Sequence, residues 1–470
     1  MIFVGFLTIL AAAPAYLAAD ETTAKVDKLF APWDKATTPG LALAVIRDGK
    51  IIYERGYGMA KLEDGIVNTP DKVFDIGSVS KQFTATCVAM LIREGKVGLE
   101  DDIRKYLPEM PAYEKPVTVN HLLHHTSGLR DYNELLSLAG FRPESDSPTV
   151  EEAYEVICRQ KKLNYTPGEE YSYTNTGFFL LSQIVERVSG KSLNAFAQER
   201  IFKPLGMTKT LFQDDHTQII KDRATGYEQG KKGYSISMSN WDETGDGNVY
   251  TTVRDLYLWD QAFYSNSLGK DLMDMLHTQG VLNSGKEIDY AFGLVVRDYK
   301  GLKVVEHGGA WVGFRAAIVR FPEQKFSVVI LANLDAINPS GLAFRVADIY
   351  LAGLVKAPAK EEAKKTPTIT VLKMEPVKAL SAEELKEYAG TYVSEELLDI
   401  HYKLTVEKDM LKIEMRTLEP SPLKAVAPDK FLLPSYGLSI EFVRGTGGNV
   451  TGFTVSVGRA AGIAFSRALR

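Results

Sequence analysis

Ser78 stands three residues before Lys81 in the run Phe74-Asp75-Ile76-Gly77-Ser78-Val79-Ser80-Lys81-Gln82-Phe83-Thr84. Beyond it, Phe83, Cys87, Val88, Leu91 and Ile92 recur at helical spacing as far as Gly95, which predicts a helix opening at this run. Residues three apart on a helix share a face, so the hydroxyl and the amine would lie side by side. The helix N-terminus adds free N–H groups and a partial positive field near Ser78. A desolvated lysine loses its proton easily and can serve as a base, which activates a serine without a histidine. The same spacing occurs at Ser267–Lys270 and Ser421–Lys424, but Gly269 and Pro422 fall inside those matches and neither opens a regular helix.

Two further groups could complete such a site. Tyr171-Ser172-Tyr173-Thr174-Asn175-Thr176-Gly177 lies between Pro167-Gly168 and a helical pattern from Phe178. On a turn, the Tyr173 phenol and the Asn175 amide can point into one cleft. Tyr173 would accept a proton if a nearby ammonium lowered its pKa, and Asn175 would hold a substrate carbonyl or orient Lys81. Tyr264-Ser265-Asn266 repeats that spacing. His307-Gly308-Gly309 follows an apolar strand, Leu302–Glu306. Two glycines let the backbone approach a ligand closely, and the Ala310 N–H could form an oxyanion hole with the Ser78 N–H. His307 adds a donor able to carry charge near neutral pH. Taken singly, these groups also fit a capping serine, a packed turn tyrosine and a bulge with a half-buried histidine.

The elements that must hold these residues alternate in kind. Leu41–Ile46 and Ile51–Tyr53 flank Asp48-Gly49, a hairpin signal. Helical patterns fill the middle of the chain, including residues 150–160, 178–189, 192–201 and 253–264, around a glycine-rich loop at Asp242–Asn248. Strands return at Leu302–His307, Phe314–Phe321 and Phe326–Asn333, followed by an apolar helix at 341–354. Hairpin-linked strands imply an antiparallel sheet, and the opening strands must meet the closing ones, which makes 20–356 one α+β domain. Residues 357–376, charged and holding Pro358 and Pro367, read as a linker. From 377 to 470 short alternating strands, among them Tyr402–Val406, Met410–Met415, Leu438–Val443 and Gly452–Val457, indicate a small antiparallel β-barrel or sandwich.

At 470 residues, with 45% hydrophobic and 24% charged, the chain reads as a globular protein of more than one domain. A net charge of −5 with no basic cluster argues against nucleic acid as a partner. Cys87 and Cys158 match no metal or redox spacing. Residues 1–19 carry no charge, and Ala13-Pro14-Ala15 fits a cleavage site, so they read as a signal peptide and the protein as secreted or periplasmic. The apolar run is short for a membrane span.

Together, Ser78-Val79-Ser80-Lys81, Tyr173-Thr174-Asn175 and His307-Gly308-Gly309 resemble the three motifs of the serine β-lactamase and penicillin-binding protein superfamily. The Tyr-x-Asn form resembles its class C branch of β-lactamases, D-alanyl-D-alanine carboxypeptidases, D-aminopeptidases and family VIII esterases. His121-Leu122-Leu123-His124-His125-Thr126-Ser127-Gly128-Leu129, Thr166–Glu169 and Pro204–Met207 are similar to that branch too. The segment from 377 is similar to the lipocalin-like barrel of some peptidase members. The resemblance implies an antiparallel sheet flanked by helices with a helical subdomain, and two-step acyl transfer. Ser78 would be the nucleophile and Lys81 and Tyr173 would share the proton traffic. Asn175, His307, Gly308, Gly309 and Ala310 would bind substrate, with no cofactor. Where many lactamases have lysine, this chain has His307, which turns the expectation from β-lactams toward peptides or esters. The expected activity is that of a peptidase or amidase with a D-amino-acid preference, acting on small molecules or short peptides. The alternatives are a carboxylesterase or β-lactamase of the same fold, or a penicillin-binding sensor or scaffold that does not turn over. Nothing in the sequence opposes an oligomer.

His121, His124 and His125 raise zinc, since His121 and His125 stand i, i+4, but the glutamate of a metalloprotease motif and a further ligand set are missing. No Gly-x-Ser-x-Gly elbow is present for an α/β-hydrolase.

Overall fold

The computed structural model describes residues 13–355, 380–416 and 418–468. The linker at 357–376 and residues 1–12 of the expected leader lie outside them. A six-stranded antiparallel sheet runs in the order Val295–Tyr299, Leu302–Trp311, Phe314–Phe321, Phe326–Ala332, Leu41–Arg47, Lys50–Tyr57. The first strands of the chain thus pair with the last of the unit, Leu41 opposite Ala332 and Arg47 opposite Phe326. Alternation along a strand sends successive side chains to opposite faces. Leu41, Leu43 and Val45 enter one core, with Val26, Phe30, Leu342 and Val346 of the helices Ala13–Phe30 and Pro339–Tyr350. Ala42, Ala44 and Ile46 enter the other, under the helices Lys81–Arg93, Asn175–Ser189 and Val253–Ser265. Among the described residues, no helix is long and apolar enough to cross a membrane.

The C-terminal residues form a nine-stranded antiparallel sheet whose end strands, Leu418–Pro422 and Lys424–Ala427, are separated by Leu423 alone. The sheet therefore curls into a nearly closed barrel, which leaves little free edge. It docks on the helical part of the first unit. Arg130 pairs with Glu396 at 2.6 Å with both side chains buried, and the Tyr402 hydroxyl donates to the Leu138 carbonyl at 2.7 Å. Removing either member of such a buried pair leaves a bare charge, so the dock is specific in register.

Two differences from the sequence expectation shape the site. The helix expected from Phe178 begins at Asn175. Its first N–H is capped by the Asp131 carboxylate at 2.6 Å, a partner distant in sequence, so the Asn175 side chain is released from capping. The strand expected to end by His307 continues through Gly308, Gly309 and Ala310 to Trp311, paired with Phe314–Phe321. The glycines lie within this strand, opposite Ala317 and Ala316.

Candidate active site

Gly77–Ser80 form a single 3-10 turn that runs into the helix beginning at Lys81. The Asp75 carboxylate accepts the Gly77 N–H at 2.7 Å, and the Ser80 hydroxyl accepts the Val249 N–H at 3.1 Å. These bonds pin the turn that carries Ser78. Lys81 is fully buried, and its Nζ donates to Ser78 Oγ at 3.1 Å, Asn175 Oδ1 at 2.9 Å and the Asp246 carbonyl at 2.7 Å. All three acceptors are neutral. Burial holds the Lys81 pKa below the ordinary lysine range, although Asp246 and Asp131 pull it upward. The helix start thus presents a serine to an amine that gives up its proton readily.

Tyr173 closes the other side, with Lys81 Nζ 4.9 Å from its ring centre. Among the described residues its buried hydroxyl makes no hydrogen bond of good geometry, although Ser78 is near enough to lower its pKa. Burial outweighs that effect and raises the phenol above its ordinary value. The expected lowering by an ammonium is therefore absent, and Tyr173 is held as a neutral phenol. His125 steadies the segment: its Nδ1 accepts the Thr174 N–H at 3.2 Å and its ring lies 4.2 Å from that of Tyr173.

His307 does not supply a charge. Its Nε2 meets the Tyr290 hydroxyl at 3.0 Å and its Nδ1 meets the Gly308 carbonyl at 2.7 Å. Those partners assign the proton to Nδ1 and leave Nε2 as acceptor. Burial, and next the Lys81 charge, push its pKa down to about 4, so it is neutral at pH 7. Gly309 lets strand and turn touch: a Cβ there would lie 1.9 Å from the Ile76 carbonyl oxygen. Gly77, at φ +48°, does the same from the other side, its would-be Cβ 2.7 Å from the Ala310 nitrogen. This contact brings the Ser78 and Ala310 backbones together at the rim of a cavity of about 770 Å³. Ser78, Tyr173, Asn175, His307, Gly308, Gly309 and Ala310 all line that cavity, and Lys81 lies behind Ser78.

The look-alike motifs fall elsewhere. Lys270 pairs with Asp274 on the surface, Ser421 and Lys424 lie on the barrel strands Leu418–Pro422 and Lys424–Ala427, and Tyr264–Asn266 end the helix Val253–Ser265. His121 accepts the Thr118 N–H, and His124 bonds to the Asn120 and Thr278 carbonyls. Sequence reasoning missed Asp131, Tyr290, Glu243, Asp246, Arg315 and Arg459, which all surround the site. Asp246 and Glu243 lay in a loop marked by its glycines; the others gave no local signal.

A family model described as Beta-lactamase matches residues 26–349, well over half the chain. Penicillin-binding protein 4* of Bacillus subtilis is 27% identical over 422 residues, 84% of this chain and 88% of that protein. A D-aminopeptidase of Brucella anthropi is 31% identical over 316 residues, 67% of this chain but only 59% of the aminopeptidase. Among solved structures, an octameric penicillin-binding protein homologue from Pyrococcus abyssi superposes with a TM-score of 0.63 at 26% identity, covering 95% of this chain and 99% of that one.

Proposed function

We propose a catalytic route for this chain, which belongs to the beta-lactamase family of serine hydrolases. The substrate is an amide or short peptide with a D-residue at the scissile bond. Ser78 Oγ attacks the carbonyl carbon as its proton passes to Lys81 Nζ, and the carbonyl electron pair moves onto oxygen, held by the Ser78 and Ala310 N–H groups. Collapse expels the amine, which takes a proton from the Tyr173 phenol while Lys81 replenishes the phenol. Water then attacks the Ser78 ester by the same route in reverse and frees the acid. Asn175 keeps Lys81 aimed at Ser78. The observation that carries this reading is the 3.1 Å bond from a buried lysine with only neutral acceptors to Ser78 Oγ. The likeness to D-aminopeptidases supports the D-amide preference, and a neutral His307 disfavours anchoring of a β-lactam carboxylate. Export, the lipocalin-like character of the barrel and assembly of several copies complete the proposal. The octameric homologue supports the last.

A panel of D- and L-alanine p-nitroanilides, p-nitrophenyl butyrate and a chromogenic cephalosporin tests it. Turnover of the D-anilide above the L-anilide is expected. Ester turnover with no amide cleavage would make the protein an esterase instead. A fluorescent penicillin label that never decays, together with no turnover of any member of the panel, would make it a sensor.

A further inference from the structure

Arg459 belongs to the barrel, at the tip of the hairpin joining Val450–Val457 to Ala460–Arg467, yet it lines the cavity of Ser78. The tip is seated tightly. A Cβ on Gly458, at φ +48°, would lie 2.4 Å from Glu134 Oε1. The Arg459 carbonyl accepts the Asp131 N–H at 3.2 Å and the Asn164 side-chain amide at 2.9 Å. Asn164 Oδ1 also accepts the Ala461 N–H at 3.1 Å, and Arg130 Nη2 donates to the Gly462 carbonyl at 3.0 Å. From this tip the Arg459 guanidinium meets Asp131 Oδ1 at 3.2 Å as a charge contact without hydrogen-bond alignment. The other oxygen of that fully buried carboxylate accepts the Asn175 N–H at 2.6 Å and the Thr174 hydroxyl at 3.3 Å. One carboxylate therefore joins the barrel hairpin to the backbone that carries Tyr173 and Asn175.

We infer that the barrel completes the active site, with Arg459 as a positioning residue that holds Asp131, and through it Thr174 and Asn175, against Lys81. The inference rests on the reading of Lys81 as the base. It has an electrostatic consequence. Lys81 is faced by Ser78 from its own turn, by Asp131 from the start of the helix Tyr132–Leu138, and by Asp246 from the loop 242–248. His125, Tyr173, His307 and Arg459 face it from the remaining elements. Burial lowers the lysine pKa, Asp246 and Asp131 raise it, and Arg459 lowers it again. Lys81 Nζ lies 4.9 Å and the Arg459 guanidinium carbon 5.9 Å from the centre of the Tyr173 ring, so the two charges stand within about 11 Å. Neutralising Arg459 removes one cation and takes its counter-charge away from Asp131 and from Glu134, whose Oε1 lies 4.0 Å from Arg459 Nε. The amine then holds its proton to higher pH.

The test follows the rate of Ser78 acylation by a fluorophosphonate against pH in the full chain, a readout that needs no knowledge of the substrate. Arg459→Gln should move the acid limb up by about one pH unit and lower the plateau on the order of tenfold. Arg459→Lys should restore most of both. Asp131→Asn should slow the plateau to a similar degree, and the double variant should be no slower than the worse single one. Tyr402→Phe, which loosens the same dock away from Asp131, should leave the profile in place and so separates this role from simple undocking. An unmoved profile in Arg459→Gln, additive losses in the double variant, or a matching shift in Tyr402→Phe would overturn the inference. An effect of Arg459→Gln confined to KM for a p-nitroanilide would also overturn it, by making Arg459 a substrate contact. Wild-type labelling in Lys81→Ala would instead overturn the reading of the base, whatever Arg459 does.

Discussion

Lys81 is buried against a hydroxyl, a side-chain amide and a backbone carbonyl, with no carboxylate among its hydrogen-bond partners in the described residues. A carboxylate at Nζ would have fixed the ammonium; neutral acceptors leave burial to dominate. The two glycines after His307 carry unequal steric constraints. A methyl on Gly309 would strike the Ile76 carbonyl at 1.9 Å, and backbone cannot step aside without moving the Ser78 turn. A methyl on Gly308 would meet Ser340 Oγ at 3.1 Å, the end of a side chain that can rotate, and the Ala316 carbonyl oxygen at an ordinary contact distance of 3.8 Å. Gly309→Ala should therefore lower the Ser78 acylation rate by roughly 100-fold, the scale of a lost oxyanion donor, while Gly308→Ala stays within about tenfold. Equal effects in the two variants would contradict the close approach. At this scale much was legible: Ser78, Lys81, Tyr173, Asn175 and His307 occur in short motifs, and the structure sets four of them around one cavity with Lys81 bonded to Ser78 behind it. Their ionisation was not legible, because it depends on neighbours such as Tyr290 and on burial depth, which no local pattern encodes.

The loop 242–248 is the element whose chemistry sequence reasoning least foresaw. Asn248 ties it by donating to the Trp241 and Glu243 carbonyls at 2.9 Å each, and Thr84 donates to the Gly245 carbonyl at 2.7 Å. That fold delivers the Asp246 carbonyl to Lys81 but buries the Glu243 carboxyl with neither oxygen hydrogen-bonded among the described residues. Burial, and then Asp246, Asp242 and Glu152, push the Glu243 pKa up from 4.5 to about 8. The folded protein thus keeps a proton there that the unfolded chain releases near pH 4.5. The stability this proton gives is full below about 4.5, falls as the pH rises, and is gone above about 8. Glu243→Gln removes the titration, so its Tm should match wild type near pH 4.5 and exceed it above pH 8, by on the order of a few kcal/mol in free energy. A difference in Tm that does not change with pH would show that Glu243 is ionised in the fold. The helix beginning at Asn175 and the strand running through His307 were misjudged by a few residues for a related reason. Asp131 caps the one and a neighbouring strand extends the other, and both partners are remote in sequence.

Across the whole molecule, alternation and hairpin signals were enough to foresee an antiparallel sheet closed by the two ends of one unit and a following barrel of short strands. Regular periodicity survives in single segments, so it can be read there. The docking of barrel on helices was not legible, since Arg130–Glu396, Tyr402–Leu138 and Asp131–Arg459 each join residues hundreds of positions apart. That dock places a cation of the barrel in the wall of the cavity that Ser78 also lines. The central claim, that a buried amine at position 81 activates the hydroxyl at position 78, is tested most directly by mass spectrometry after brief fluorophosphonate treatment. A single adduct on the peptide containing Ser78, absent from Ser78→Ala and slower by roughly 1,000-fold or more in Lys81→Ala, is the predicted result. An adduct on another serine such as Ser267, or substrate turnover undiminished in Ser78→Ala, would contradict it.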